Sequence, residues 1–202
     1  MTLVTLIFGF LFGVILQYAK LNKYNTISGM AILNDYTVAK AIAAAIGVGV
    51  ILLNIEIGFG LASYHVKPFI LGGIIFGGLI FGIGMAILGY CPGTLAISFG
   101  EGSIDALIGI IGGLFGGLTY TLILPSIQGF LGPDFGKISL YSLVGTNSLI
   151  FYILFFVIGA GFVGLAFGLH KIDKVKDMKW LYAGIGLAIL ELIVFLSFAT
   201  NR

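Results

Sequence analysis

A short glycine-rich segment holds the single cysteine of the chain. In order, it consists of Gly89, Tyr90, Cys91, Pro92, Gly93 and Thr94. Because proline fits the first turn of a helix, where its missing N–H would have no partner, Cys91 is predicted to lie at the N-terminus of a short helix. The partial positive charge of that end stabilises a thiolate or a bound anion, and glycines let backbone N–H groups approach a small ligand. The segment is therefore a candidate small-anion site centred on sulfur. The alternative is that Cys91 is a small buried apolar residue.

The helices around this segment are predicted to lie in a membrane. Hydrophobic residues make up 59% of the 202 residues and charged residues 9%, whereas a soluble domain carries about 25% charged and about 45–50% apolar residues. A water-soluble fold of this length could not bury so much apolar surface. The net charge of +2 is too small and too dispersed for nucleic acid. A single cysteine excludes an intramolecular disulfide framework and a cysteine-rich metal site.

Six apolar runs approach the roughly 20 residues that a helix needs to cross a hydrocarbon core of about 30 Å. We therefore predict an all-α, polytopic transmembrane helix bundle that forms one domain over residues 1–202. Glycines four residues apart, such as Gly113 and Gly117, are predicted to let these helices pack closely. The predicted spans cover residues 1–18, 37–54 with an apolar extension to 61, 69–88, 103–124, 148–169 and 180–198.

Two polar breaks separate these spans in corresponding places, which indicates an internal repeat. The segment GFLFGVIL from Gly9 matches GLIFGIGM from Gly78, and the repeat units cover about residues 8–62 and 72–124. Irregular backbone at membrane depth persists only where protein or a water-filled cavity covers it. Both breaks are therefore interpreted as re-entrant or funnel-lining segments, with an ordinary interfacial loop as the alternative. In the first break, at residues 22–30, the candidate lining residues are Tyr24, Asn25, Thr26 and Ser28.

The basic residues are distributed unequally between the two sides of the predicted bundle. One side holds seven lysines and the other three basic residues, so the positive-inside rule predicts that both termini lie outside the cytoplasm. The first span lacks a positive n-region and a cleavage site, and it is not expected to be a cleaved signal. Residues 170–179 are predicted to form a solvated cytoplasmic loop, with Trp180 at the membrane interface. The seven lysines on the predicted cytoplasmic side are Lys20, Lys23, Lys40, Lys171, Lys174, Lys176 and Lys179. The three basic residues on the other side are Lys67, Lys137 and Arg202.

Acidic side chains are few. Glu191 lies near the middle of the sixth span, where a charge is costly, and it is either a proton-coupling carboxylate or a protonated or hydrogen-bonded structural residue. His65 and His170 fall on opposite predicted sides, which disfavours a two-histidine metal site. No phosphate-binding loop, dinucleotide fingerprint or catalytic triad is present, so we predict no metal, no cofactor and no catalytic residue. The acidic residues that flank the breaks are predicted to cap short helices, and they are Asp35, Glu101 and Asp105.

The two breaks and their flanks are similar to a known family. The stretches FGIGMAILGYCPGTLAISFGEGS from Phe81 and ISGMAILNDYTVAKAI from Ile27 resemble the YeeE/YedE family of bacterial sulfur-transport membrane proteins. The resemblance covers most of residues 8–120. It implies uptake of thiosulfate or related compounds across the inner membrane by a protein that is not an enzyme, with cysteines on central breaks contacting the substrate's sulfur. Only Cys91 carries over, because the first break has no thiol, and a one-thiol mechanism is the most that the resemblance implies.

The resemblance also implies partners. The well-known thiosulfate-uptake members are longer, and shorter relatives resemble half-size units encoded in pairs, so we expect a homodimer or a pair with a half-size membrane subunit. A cytoplasmic sulfurtransferase or sulfur-carrier protein is the expected receiver. We therefore predict an inner-membrane transporter that moves a small sulfur-containing anion along a path contacting Cys91, with thiosulfate as the main candidate substrate. The alternatives are a non-transporting scaffold subunit of a sulfur-metabolism complex and a membrane-embedded persulfide carrier.

Overall fold

The computed structural model describes residues 2–60, 67–127, 129, 131–136 and 149–199. Within these ranges the secondary structure is α-helical, apart from an isolated β-bridge between Ile70 and Asp134. This confirms the predicted all-α class. The eight helices of the described part are α1 (Thr2–Tyr18), α2 (Tyr24–Ala31), α3 (Thr37–Gly58), α4 (Leu71–Leu88), α5 (Pro92–Gly100), α6 (Ile104–Ile127), α7 (Leu149–Ile172) and α8 (Lys179–Ala199).

Each of the six predicted spans corresponds to one long helix, and their ends differ from the predicted ones by at most four residues. Within the described ranges, five stretches are long and apolar enough to cross a membrane, with α4 and α5 forming one of them, Leu71–Gly100. The first helix is apolar but has 17 residues, fewer than the other predicted spans. The chain is therefore a multi-pass membrane protein by the length and composition of its helices.

The chain divides into two compact units. The first consists of Met1–Tyr64 with Val144–Arg202 and holds α1, α2, α3, α7 and α8. The second is His65–Leu143 and holds α4, α5 and α6. Each unit contains a short helix between two long ones, with 17, 8 and 22 residues in the first and 18, 9 and 24 in the second. The predicted repeat units have this element order, and the internal repeat itself stays a prediction.

In the first unit, α3 packs against α7 and α8 through small residues. A Cβ atom added to Gly47 would lie 2.7 Å from the carbonyl oxygen of Gly159, and one added to Gly159 would lie 2.7 Å from that of Gly47. Between α3 and α8, a Cβ on Gly184 would lie 2.6 Å from the Cβ of Ala44. Because helix association in lipid depends on such close contact, these glycines set the spacing of the first unit.

The glycines at these contacts are not those that the four-residue spacing indicates. Gly113 and Gly117, like Gly164 and Gly168, have no atom within 4 Å of an added Cβ among the described residues. The spacing marks small-residue faces, but it does not tell which face meets a helix of the same unit. The physical reason is that lipid and protein neighbours are equally apolar.

Replacing Gly159 by alanine is expected to destabilise the first unit. The added methyl group would contact the Gly47 carbonyl, which is backbone and cannot rotate away, and we expect a loss of about 1–3 kcal/mol. Gly161 is the matched control, because it lies on the same helix with no atom within 4 Å of its added Cβ in the described structure. Thermal unfolding in detergent measures both variants. Equal melting temperatures for Gly159→Ala and Gly161→Ala would contradict the contact.

A buried ion pair lies at one end of the first unit. Lys40 Nζ and Asp173 Oδ2 are 2.6 Å apart, and both side chains are 0% exposed. The Lys40 ammonium also donates to the Val175 carbonyl and lies 5.7 Å from the centre of the Trp180 ring. We call this region the lysine end; it comprises the end of α1, the starts of α3 and α8, and residues 173–178. The prediction of a fully solvated loop was wrong for Asp173, because the loop folds back onto α3.

Trp180 is also placed differently from the prediction. It is 0% exposed and packs edge-on against Phe167 at 5.5 Å between ring centres, so it is part of the protein core and not a membrane-interface anchor.

Burial alone would raise the pKa of Asp173. The hydrogen bond and charge of Lys40, together with the backbone N–H groups of Val175 and Tyr36, outweigh burial and hold that pKa below its usual value.

Candidate functional site

The Cys91 segment is shaped by a turn and a helix start. Helix α4 ends at Leu88, and Gly89 follows with φ +74°, a left-handed conformation that glycine adopts without steric penalty. The Gly89 N–H donates to the Met85 carbonyl at 2.9 Å, which closes the last turn. Cys91 then has an extended backbone and is the N-cap of α5, whose first residue is Pro92. The predicted short helix after Cys91 is confirmed.

Thr94 holds Cys91 in place. Its side chain is 2% exposed, its Oγ1 accepts the Cys91 N–H at 3.1 Å, and it donates to the Cys91 carbonyl at 3.0 Å. The Cys91 Sγ lies 3.3 Å from the same Oγ1. A hydroxyl has one proton and two lone pairs. It can therefore accept from the thiol while donating to the carbonyl, or turn its proton to the sulfur when the sulfur carries negative charge.

The aromatic residue before the cysteine connects the segment to α6. Tyr90 is 7% exposed, and its hydroxyl lies 3.3 Å from the Ser103 Oγ just before α6. Further along that helix, a Cβ on Gly109 would meet Leu88 and Leu95, at 2.6 and 2.8 Å from their Cδ2 atoms. Gly109 thus lets α6 approach both ends of the segment. The Tyr90 hydroxyl is therefore hydrogen-bonded within the second unit, and its aromatic side chain is part of the buried interior of that unit.

Only part of the segment is accessible. Cys91 is half-buried and Pro92 and Gly93 are exposed, while Gly89 and Thr94 are buried. Gly93 is the second residue of α5, a position whose N–H has no acceptor within its own helix. The groups that a ligand could reach are therefore the Cys91 thiol and the N–H of the exposed Gly93 at the N-terminus of α5. This arrangement suits a small anion that offers both sulfur and oxygen acceptors.

The first break differs from its predicted form. Its candidate residues were expected on an irregular segment, but they lie on α2, an eight-residue helix that begins after Lys23. Helical hydrogen bonding satisfies the backbone that an irregular break would leave open. These residues belong to the first unit and the Cys91 segment to the second. Tyr24 and Asn25 are exposed, and Thr26 and Ser28 are half-buried.

A cavity of about 230 Å³ lies at the lysine end of the first unit, and Thr26 is the α2 residue that lines it. The Asp35 carboxylate accepts the Thr37 N–H at 2.8 Å just before α3, so it bonds the start of a long helix, whose N-cap is Tyr36, and not of a short one as predicted. Asp177 accepts the Lys179 N–H at 3.1 Å and plays the same part at the start of α8. The cavity is thus polar and of mixed charge, with lining residues Ala19, Lys20, Thr26, Asp35, Thr37, Val175, Asp177, Lys179 and Trp180.

Metal-binding groups are not assembled in the described part of the chain. No cluster of three or more histidine, cysteine, aspartate or glutamate side chains with metal-site geometry occurs there. His65 lies outside the described residues.

One buried acidic residue was missed by the sequence analysis. Glu56 is 4% exposed on α3, in the apolar extension after residue 54. The available signal was a lone carboxylate in an apolar run, the same signal that drew attention to Glu191.

Comparison with known proteins gives two matches. Residues 19–202 match the sulphur transport family. The thiosulfate transporter TsuA of Spirochaeta thermophila is 27% identical over 207 aligned residues, which include 95% of this chain and 62% of that protein. The chain therefore spans less than two thirds of the length of this relative. The matches confirm the resemblance to sulfur-transport membrane proteins.

Proposed function

The chain belongs to the sulphur transport family. On that premise we propose that it carries a small sulfur-containing anion into the bacterial cytoplasm, with thiosulfate as the main candidate substrate. The observation that supports this most directly is the half-buried Cys91 thiol beside the exposed start of α5. In this proposal the protein is a transporter of the inner membrane and not an enzyme. The curated relative is a thiosulfate transporter, and its substrate is the one proposed here.

The geometry supports a contact in which sulfur and oxygen are recognised together. Thiosulfate has a terminal sulfur and three oxygens, and it carries two negative charges. The Gly93 N–H and the N-terminus of α5 replace part of the hydration of its oxygens, while the Cys91 S–H donates to its terminal sulfur. An S–H group is a weak donor, and weak binding lets a substrate leave as well as enter. Gly89 permits the turn that points the cysteine at this position.

The polar residues of α2 are proposed as further contacts for the anion. Tyr24, Thr26 and Ser28 offer hydroxyl groups and Asn25 an amide, all of which donate hydrogen bonds without a fixed charge. Thr26 lines the cavity at the lysine end, where Lys20 and Lys179 supply positive charge. These residues would attract and partly dehydrate an anion without holding it permanently.

The lysine end is proposed to face the cytoplasm. Contacts there bring together basic residues far apart in the chain: Lys174 donates to the Asn34 Oδ1 at 2.9 Å, and Lys179 Nζ lies 5.8 Å from the centre of the Tyr18 ring. The positive-inside rule assigns such an end to the cytoplasm and both termini to the periplasm. Lys137 and Arg202, on the opposite predicted side, lie outside the described residues.

A reporter inserted beside Lys174 is therefore expected to be active in its cytoplasmic form, and a reporter fused after Arg202 in its periplasmic form. Paired alkaline phosphatase and green fluorescent protein fusions at the two positions measure this. The reversed pattern would overturn the orientation but not the transport proposal.

Two kinds of partner fit this arrangement. A cytoplasmic sulfurtransferase or small sulfur-carrier protein would receive the anion at the lysine end. In the second unit, α4 and α6 are apolar and exposed along their lengths, with glycines such as Gly78 and Gly113 on open faces of the described structure. We propose that these faces support pairing with a second copy or a half-size membrane subunit. The particle mass in nanodiscs reports the pairing.

Uptake of labelled thiosulfate by the purified chain in proteoliposomes tests the function. Transport predicts accumulation or exchange of label by this chain alone, which is blocked by excess unlabelled thiosulfate. A scaffold subunit predicts no uptake until its partner is added. A persulfide carrier predicts a covalent sulfur adduct on Cys91 during turnover, visible by mass spectrometry. Either of the last two outcomes would overturn the proposal.

A further inference from the structure

A carboxylic acid lies buried in the apolar part of the first unit. Glu56 is 4% exposed on α3, within the stretch Thr37–Gly58 that is long and apolar enough to span a membrane. Its Oε1 is fully buried and has no hydrogen-bond partner among the described residues. A charged carboxylate with a buried, unpartnered oxygen is unfavourable in such surroundings, whereas a neutral carboxyl group is tolerated. The structure thus favours a Glu56 that holds a proton.

A second carboxylate lies along the same face of α3. The Oε2 of Glu191, on α8, lies against Gly49, two turns before Glu56, and a Cβ atom added to Gly49 would be only 3.0 Å from this oxygen. Unlike Glu56, Glu191 is exposed. A charged group inside a membrane protein almost always faces the bundle interior or a water-filled cavity. Glu191 is therefore placed to exchange protons with water, and Glu56 to store one.

No cation in the described helices neutralises this pair. The elements packed against α3 are α2, α7 and α8. Helix α2 has no charged residue, and the basic residues of α7 and α8 are His170, Lys171 and Lys179, all at the lysine end. Lys40 lies there too, paired with Asp173. Near Glu56, α7 presents Tyr152, whose hydroxyl lies 3.4 Å from an added Cβ at Gly58, and two turns away α8 presents Glu191 at Gly49.

We propose that Glu56 and Glu191 form a proton-binding pair that couples movement of the transported anion to a proton gradient. The inference rests on the proposed transport function and adds its driving ion. A membrane potential that is negative inside opposes inward movement of a dianion, so uptake against a gradient needs a cation to move with it. The Cys91 segment has no carboxylate of its own to bind that cation.

The step balances as a simple proton transfer. A proton from water on the outer side binds a carboxylate oxygen of Glu56, which lies in the last turn of α3, away from the lysine end, and becomes a neutral carboxyl group. The proton passes through water to Glu191, which lies two turns nearer the lysine end at the level of Gly49, and the Glu56 carboxylate is regenerated. After the anion has been released, Glu191 gives the proton to water on the inner side. No bond other than O–H is formed or broken, and no oxidant or reductant is required.

Two measurements on proteoliposomes separate this inference from the transport proposal. Counterflow exchange of labelled thiosulfate without any gradient reports the transport path. The accumulation ratio under an inward proton gradient, with the membrane potential clamped, reports the coupling. For the unmodified protein, a gradient of about one pH unit is expected to raise the ratio by about tenfold per coupled proton. Glu56→Gln and Glu191→Gln are expected to keep counterflow and to reduce that ratio to about one.

Asp134→Asn is the matched control, because this exposed loop carboxylate donates no proton to the pair and its Oδ1 only accepts the Gly136 N–H. Unchanged proton-driven accumulation in both glutamine variants would overturn the inference, as would accumulation that follows a sodium gradient and not a proton gradient. Absence of counterflow in the unmodified protein would overturn the transport proposal and the coupling with it.

A chemical measurement covers the case in which Glu56→Gln does not fold. Dicyclohexylcarbodiimide reacts with protonated carboxyl groups in apolar surroundings. We expect mass spectrometry of the unmodified protein at neutral pH to find an adduct on Glu56 but none on the exposed Asp134. Labelling is expected to stop proton-driven accumulation. Lack of an adduct on Glu56, or an adduct that leaves accumulation intact, would overturn the inference.

Discussion

Cys91→Ala is expected to abolish or strongly reduce thiosulfate uptake while expression and folding stay nearly intact. The sulfur is half-buried at the start of α5, and its hydrogen bond within the chain goes to Thr94. Removing one sulfur atom there leaves a small cavity at a cost of roughly 1 kcal/mol. The backbone capping by Thr94 stays, since that residue bonds the N–H and carbonyl of position 91. The variant therefore isolates the thiol from the fold.

Cys91→Ser separates sulfur chemistry from simple polarity, because it nearly preserves size and keeps a donor. Activity in the serine but not the alanine variant indicates plain hydrogen bonding, and loss in both indicates a role specific to the thiol. The chain has one cysteine, so a thiol reagent reports on this position alone and Cys91→Ala is its own control. Thiosulfate should slow the labelling if reagent and substrate share one site. Full transport by well-folded Cys91→Ala would leave selectivity to the Gly93 N–H and the helix end.

Asp173→Asn is expected to destabilise the protein by about 3–5 kcal/mol, because it leaves the Lys40 ammonium buried without its counter-charge. Asp177→Asn is the control. It weakens a pair with Lys179 whose side chains are 39% and 52% exposed, and such pairs contribute about 0–1 kcal/mol. Melting temperatures in detergent measure both variants. Equal effects of Asp173→Asn and Asp177→Asn would contradict a buried pair.

The same ion pair predicts how stability depends on pH. The pKa of Asp173 in the folded protein lies below its usual value. The pair therefore contributes fully at pH values above the unfolded carboxyl pKa of about 3.9, and its contribution is lost as pH falls through the lower folded value. The unmodified protein should lose stability over this acidic range more steeply than Asp173→Asn. Parallel acid profiles for the two proteins would show that this carboxylate is not the group responsible.

The sequence by itself determined the helices and one local site. The length and apolarity of each run specify a membrane helix, because lipid requires every backbone group to be bonded within the segment. The start of α5 is equally local: Pro92 fits a first helical turn, and Thr94 reaches back three residues to Cys91. The family resemblance was carried by this segment with its flanks and by the stretch from Ile27, and the match over residues 19–202 agrees with it.

Only the tertiary structure decided which face of each helix meets another. Lys40 and Asp173 are distant in sequence and join because α3 and α7 pack together. The close contact of Gly47 with Gly159, and the burial of Glu56 two turns from an exposed Glu191, depend on the same packing. In a soluble protein a polar stripe would have marked the outward face of each helix. These helices are apolar all round, and since lipid and protein interior are equally apolar, the sequence pattern does not specify their rotation.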